Sequence, residues 1–222
     1  MGRTRKWGEF ETNMSEVTSK HLIGMIATIS RQITANRDLL NELDSALGDG
    51  DHGTGIGTAF AGAVENIDEL IDPSIADILK TAATTLMNRM GGASGALFGT
   101  FFLKGAIITK DKNRLSKSDM DAVLQAGLDG VKQRGKSDVG DKTMIDALKP
   151  AVVAFASCSE FDKAWKQATQ AAQKGAESTI EMVAKHGRAK FIGERAIGHQ
   201  DAGATTIALM FEAIQYYWEE TS

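Results

Sequence analysis

The chain has 222 residues, ample length for one domain with a sizeable buried core. Its formal net charge is −4 and it has no lysine- or arginine-rich stripe beyond the MGRTRKW start, which argues against nucleic acid or an anionic membrane surface as main partner. A single cysteine, Cys158, excludes an internal disulfide framework and a thiolate zinc site, and no apolar run reaches the ~20 residues of a membrane span, so the expected address is the cytoplasm.

Residues 1–14 read as a flexible polar extension, followed by a single helical domain over 15–222. Alternating strand patterns are scarce, whereas apolar residues recur at helical spacing. A first helix is predicted over 15–35, with Val17, Ile23, Ile26 and Ile29 on one face. Asn36 reads as the N-cap of a shorter helix that runs to Leu47. Beyond a glycine cluster, Ile56, Phe60, Val64 and Ile67 mark the next helix, and Asp72-Pro73-Ser74 signals the start of another carrying Ile75, Ile78, Leu79 and Leu86. Further helices are predicted over 95–109, 116–132, 143–157, 160–185 and 204–219. Pro73 and Pro150 both read as boundary residues, and Cys158, in AVVAFASC, as an inert thiol buried in a helix. About eight or nine amphipathic helices with short links pack most simply as an all-α bundle or barrel.

Three stretches break the pattern: GDGDHGTG, RGKSDVGDKT at 134–143, and HGRAKFIGERAIGHQDAGAT at 186–205. The last is long for a loop, and Phe191, Ile192 and Ile197 among its charges favour a packed loop over a disordered linker. MGGASGALFGTFF, from Met90, enters an apolar helix through small residues, which permits close backbone approach to a ligand or another helix.

The segment DSALGDGDHGTGIG, 44–57, carries the chemistry. It contains the letters of the dinucleotide fingerprint G-x-G-x-x-G, but no buried strand precedes it, and two aspartates would repel a pyrophosphate. No phosphate-binding GxxxxGK[ST] occurs, and a calcium loop read from Asp49 would need glutamate where Phe60 stands. In a continuous helix Asp44 and Asp51 share a face while Asp49 points some 140° away. Gly48 and Gly50 can end that helix and swing Asp49 toward the other two. Three converging carboxylates repel unless a cation neutralises them, and an all-oxygen ligand set points to Mg²⁺, Ca²⁺ or Mn²⁺. Gly53-Thr54-Gly55 opens the following helix and offers free amides to an anion. A metal beside a helix N-terminus suits a polyphosphate; the competing reading is a solvated acidic turn with a glycine cap.

LDSALGDGDHG, GGASGALFGTFF, RGKSDVGDKTM and GRAKFIGERAIGHQDAGATT, in this order, closely resemble the four signature stretches of the nucleotide-binding L subunit of dihydroxyacetone kinase. The similarity runs from about Leu39 to the C-terminus. It implies an up-and-down barrel of about eight antiparallel helices with the nucleotide, ADP or ATP, at one end. Asp44, Asp49 and Asp51 match the aspartates that hold two Mg²⁺ ions against the phosphates, and His52, Gly53, Thr54 and Gly55 the phosphate-side loop. Ala93, Ser94, Gly135, Thr143, Met144, Arg188, Asp201 and Gly203 match further nucleotide contacts. Ala202 stands where the family pattern carries proline, DAG for DPG, which loosens the loop.

Arg188 is the candidate catalytic cation, since guanidinium suits phosphate geometry; its bland alternative is a surface arginine. Ser94 positions phosphate or N-caps its helix, and Met144 packs on adenine or fills the core. His52 makes a hydrogen bond or a phosphate contact, and Glu194 and Arg195 pair at the surface. The implied activity is phosphoryl transfer from Mg-bound nucleotide to dihydroxyacetone held on a separate K subunit. ADP stays bound and is recharged in place by an M subunit of the phosphotransferase system. The alternatives are a subunit of an ATP-dependent kinase for another short ketose such as erythrulose, and a nucleotide-state-dependent partner of a transcription regulator. A homodimer is compatible with all of these readings.

Overall fold

The computed structural model describes residues 15–221, so the predicted N-terminal extension lies outside the described residues. Its elements are β1 (Val17–Thr18), α1 (Ser19–Ala35), α2 (Arg37–Leu47), α3 (His52–Asp68), α4 (Ile75–Arg89), α5 (Gly92–Ile108), β2 (Arg114–Leu115), α6 (Lys117–Gly135), α7 (Ile145–Ala156), α8 (Phe161–Ser178) and α9 (Ala202–Thr221). Short 3-10 turns cover Thr179–Glu181 and Ala189–Ala196.

Several helix starts follow directly from local sequence. Ser74 caps α4 by accepting from the Asp77 amide at 3.1 Å, while the Asp77 carboxylate accepts from the Ser74 amide at 3.1 Å. Ser116 and Asp119 repeat this reciprocal box at α6, and Thr18 and His21 do so at α1. Asn36 stands at the predicted cap of α2 but turns back, donating its side-chain amide to the Gln32 carbonyl at 2.8 Å.

Each amphipathic helix must bury its apolar stripe, and closing a ring lets all do so at once. The helices α1, α3, α4, α5, α6, α7, α8 and α9 touch in chain order, and α1 seals the ring against α9. Neighbours joined by short links alternate up and down, as the resemblance implies. The short α2 lies across one end, against α3 and α9. Small residues bring α4 and α5 together: a methyl at Gly95 or Gly99 would strike α4 backbone carbonyls, so the glycines of MGGASGALFGTFF serve helix approach. Trp165, Phe155, Phe161 and Trp218 form an aromatic cluster, with Phe155 and Trp165 centroids 4.3 Å apart. No helix among the described residues is long and apolar enough to cross a membrane.

The departures from expectation have identifiable causes. The first helix begins at Ser19, because Val17 is taken into a two-residue antiparallel pair opposite Leu115. Pro150 is not a boundary residue: it lies inside α7, past the first turn, where it leaves the Asp146 carbonyl without its helical amide. Cys158 sits just beyond α7 and is half-buried. The helix expected over 160–185 stops at Ser178, because the hydroxyl and carbonyl of Thr179 are claimed by residues far along the chain.

Candidate functional site

Antiparallel order brings the starts of α3, α5, α7 and α9 to the end of the ring that α2 crosses. The candidate site residues lie at these starts, in the loops beside them, or in the adjoining last turns of α2 and α6.

The turn between α2 and α3 is built around Asp44. Its Oδ2 accepts from the amides of Gly50, Asp51 and His52 at 2.9, 3.1 and 3.3 Å. Gly50, at φ +76°, makes the reversal in a region that side chains resist. A methyl at Gly48 would come within 2.6 Å of Asp44 Oδ1, so that glycine leaves space for the carboxylate. The expected convergence follows: Asp44, Asp49 and Asp51 each offer an oxygen, and the three lie within 4.8 Å of one another. Asp44 is half-buried, and Asp49 and Asp51 are exposed. Arg188, from the long loop, forms an ion pair with Asp49.

The start of α3 is less open than expected. His52 donates its amide to Asp44, Thr54 to Asn41 Oδ1 at 3.0 Å, and Gly55 to the Asp51 carbonyl at 2.9 Å. Gly53 alone keeps a free amide among these, and it is wedged against α2, where a side chain would strike the Arg37 carbonyl. His52 turns inward: its Nε2 meets Thr206 Oγ1 of α9 at 2.8 Å. Burial holds its pKa below the ordinary imidazole value, against the pull of the Asp44 carboxylate. The imidazole is therefore a structural strut between α3 and α9, and the hydrogen-bond reading of His52 is the one observed.

Ala93 and Ser94 lie in the first turn of α5, whose N-cap is Gly91, so Ser94 is not an N-cap. Gly135 closes α6 beside this turn, since a methyl on it would lie 3.3 Å from Leu97 Cδ2. Met90, leading into α5, is next to Gly55, which joins this patch to the acidic turn. Thr143 and Met144 precede α7. Thr143 donates its amide to Asp146 Oδ2 at 2.7 Å, and Met144 is buried against Gly203. Met144 is core, as its bland alternative held. Asp201 caps α9 by accepting from the Ala204 amide at 2.7 Å. Burial, reinforced by the Asp146 and Asp44 carboxylates, raises the Asp201 pKa to about 6, against the opposing Ala204 hydrogen bond and Lys142 charge. Asp201 thus shares the electrostatic field of the trio. Ala202 opens α9 and is buried, so a firm helix start replaces the loosened loop expected there.

Of the apolar residues expected to pack the long loop, Ile192 does so, whereas Phe191 and Ile197 are exposed. Ala184, Ala189, Ile192 and Ala196 close over Ala46 and Leu47 of α2. Phe191, 78% exposed, stands out from it, with Lys190 Nζ 4.8 Å from its ring centroid. Arg195 donates to the Ile192 carbonyl at 3.4 Å, and no Glu194–Arg195 ion pair occurs among the described residues.

Sequence reasoning missed Lys142, Asp146 and Asn41. Asn41 grips Thr54 through both ends of its amide. The T-x-x-D spacing of Thr143 and Asp146 is a readable helix-start signal. Lys142 carries no local signal, because its partners lie 37 and 57 residues away.

Comparison with known proteins agrees with this architecture. Residues 46–216 match the DAK2 domain. The PEP-dependent dihydroxyacetone kinase ADP-binding subunit DhaL of Escherichia coli is 40% identical over 181 residues, covering 80% of this chain and 86% of that protein. A more distant relative, the L-erythrulose kinase of Pectobacterium atrosepticum, is 32% identical over 87% of this chain but only 34% of its own length. The crystal structure of the dihydroxyacetone kinase from C. freundii in complex with AMP-PNP and Mg²⁺ superposes with a TM-score of 0.72 at 26% identity. That match takes in 97% of this chain, which spans 37% of the C. freundii chain. On matched length, identity and fold together, the chain belongs to the DAK2-domain family of dihydroxyacetone kinase L subunits.

Proposed function

We propose that this chain carries ADP or ATP for a dihydroxyacetone kinase, at the end of the barrel where the starts of α3, α5, α7 and α9 surround the acidic turn. The observation that carries the reading is the convergence of Asp44, Asp49 and Asp51 within 4.8 Å. Asp44 Oδ2 is committed to the turn, and its Oδ1 accepts no hydrogen bond from the described residues, which suits a hard cation. The three aspartates would hold two Mg²⁺ ions, which supply charge neutralisation to the phosphate oxygens when bound.

The chain's own groups then position the nucleotide. The Gly53 amide faces a phosphate at the positive end of α3, with Thr54 and Gly55 beside it. Ala93, Ser94 and Gly135 line the neighbouring wall, and Thr143, Asp201 and Gly203 the opposite one. Met144 supports Gly203 from beneath and His52 braces α3 against α9. Arg188, held at the trio by Asp49, is the catalytic cation that accompanies the transferring phosphoryl group. Dihydroxyacetone is bound by a separate K subunit, so no general base is assigned on this chain. ADP stays in place and is recharged by a phosphotransferase-system M subunit; the PEP dependence in the name of the E. coli relative supports this donor. The erythrulose kinase among the relatives supports a second reading, in which the acceptor is another short ketose and free ATP the donor.

Native mass spectrometry of the purified chain tests the site: it should carry ADP with Mg²⁺, and Asp49→Ala should weaken that binding by roughly 100-fold. Retention of Mg·ADP by Asp49→Ala at wild-type affinity would refute the assignment. Turnover of dihydroxyacetone against erythrulose, with a phosphocarrier or with free ATP, separates the two readings.

A further inference from the structure

Lys142 is 1% exposed, and its backbone lies at φ +57°, in the left-handed region where a residue with a side chain is strained. Glycine would occupy that position without strain, so the side chain must contribute what glycine could not. Its Nζ donates to two main-chain carbonyls, those of Thr179 and His199. Thr179 follows the end of α8, and its hydroxyl accepts from the Asp201 amide at 2.9 Å. His199 lies two residues before Asp201, whose carboxylate caps α9. One buried ammonium therefore ties the end of α8 to the last residues of the long loop, and both attachments converge on Asp201.

The surroundings fix the lysine itself. Asp146 accepts from the Gly140 and Thr143 amides at 2.5 and 2.7 Å, shaping the turn that presents Lys142. The Asp146 and Asp201 carboxylates act on the ammonium without pairing with it directly. Asp141 repeats the stitching on the outer side: its carbonyl accepts from the Lys185 amide at 3.2 Å and its carboxylate from Lys185 Nζ at 2.8 Å. A core-filling residue would not need these acceptors; in its place the His199 carbonyl would lose its donor and the Thr179 carbonyl would keep only the Met182 amide, at 3.2 Å.

We propose that Lys142 is a positioning residue for the nucleotide site, a buried clamp that sets Asp201 and the first turn of α9 opposite the aspartate trio before ligand arrives. The proposal rests on the nucleotide-site reading above. Titrating Mg·ADP into wild type, Lys142→Met and Lys142→Arg by calorimetry tests it, with helical content followed by circular dichroism. Lys142→Met should bind at least tenfold more weakly with its helical signal kept, and Lys142→Arg, which restores a charged donor, should recover part of the loss. In the assembled kinase, KM for nucleotide should rise in Lys142→Met by the same factor while kcat changes less than threefold. Binding by Lys142→Met within twofold of wild type would overturn the clamp, whereas wild type without affinity for Mg·ADP would defeat the site reading and the clamp with it. Equal weakening of both variants with parallel loss of helix would also overturn it, by showing a merely structural lysine. Hydrogen exchange on unmutated protein gives a reading that needs no variant. The Asp201 and Ala204 amides, which donate to Thr179 Oγ1 and Asp201 Oδ2, should be protected before nucleotide is added, and full exchange at both until Mg·ADP binds would contradict a preformed clamp.

Discussion

At the end where β1 meets β2, α1, α4 and α6 begin with side-chain caps that return their own hydrogen bonds, and only α8 lacks one; at the opposite end α3, α5 and α7 begin with no bond from an N-cap side chain, and only α9 has one, from Asp201. The difference teaches where stability and function have been separated. A capped start satisfies its amides permanently and gives nothing to a ligand. At the start beside Asp44, Asp49 and Asp51, the Gly53 amide is left over for the polyphosphate of the proposed function. Non-glycine residues hold positive φ at Lys136 and Lys142 on the second end and at Asp72 on the first. The positive-φ glycines Gly50, Gly92, Gly140, Gly187, Gly193 and Gly198 also fall at this second rim, in its connections or at the start of α5.

Four substitutions would break or sharpen that contrast. The largest effect is expected at Gly53→Ala, where the added methyl meets the Arg37 carbonyl and Asn41 Oδ1. It should destabilise the fold by about 3 kcal/mol and abolish Mg·ADP retention together, read by denaturant melts and native mass spectrometry. Next comes Asp201→Asn. The Asp201 pKa rises from 3.8 to about 6 in the folded chain, so the folded state holds a proton that the unfolded state has already released. Ligand-free stability should therefore fall as pH rises from about 4 to about 6, by something on the order of 2–3 kcal/mol. Asp201→Asn should flatten that slope while keeping the helix cap, because asparagine caps as well as aspartate. Melting curves at pH 4 and pH 7 decide it, and an unchanged slope would contradict a buried anion. The smallest effect belongs to the far rim. Ser74→Ala and Ser116→Ala should each cost about 1 kcal/mol of stability and leave nucleotide affinity untouched. A loss of affinity in either would show that the two ends are coupled.

The acidic turn was legible because everything that shapes it is local: Asp44 orders amides six to eight residues away, and the glycines that permit this are interleaved with the ligands. The helices were legible for the same reason, since a 3.6-residue period needs no distant partner. Legibility fails where the chain answers to remote segments. The apolar period runs on past Ser178, yet Thr179 is pulled out of the helix by Lys142 and Asp201. Met144 was open to packing on adenine or filling the core, and only the fold shows it buried beside Gly203. Lys142 drew no notice because a lysine in a polar loop is ordinarily solvated, and only the fold reveals its two carbonyl partners.

Ring closure has a practical consequence. The His21 ring, in the first turn of α1, lies edge-on to Trp218 near the end of α9, with centroids 6.4 Å apart. The first and last described helices therefore leave the barrel side by side, on the rim away from the aspartates. A short peptide bridging residues 17 and 221, with new termini opened in the 109–113 connection on that same rim, would give a circularly permuted barrel whose acidic turn and α9 start are untouched. Affinity tags or fused enzymes placed at that seam would likewise stay clear of the acidic turn.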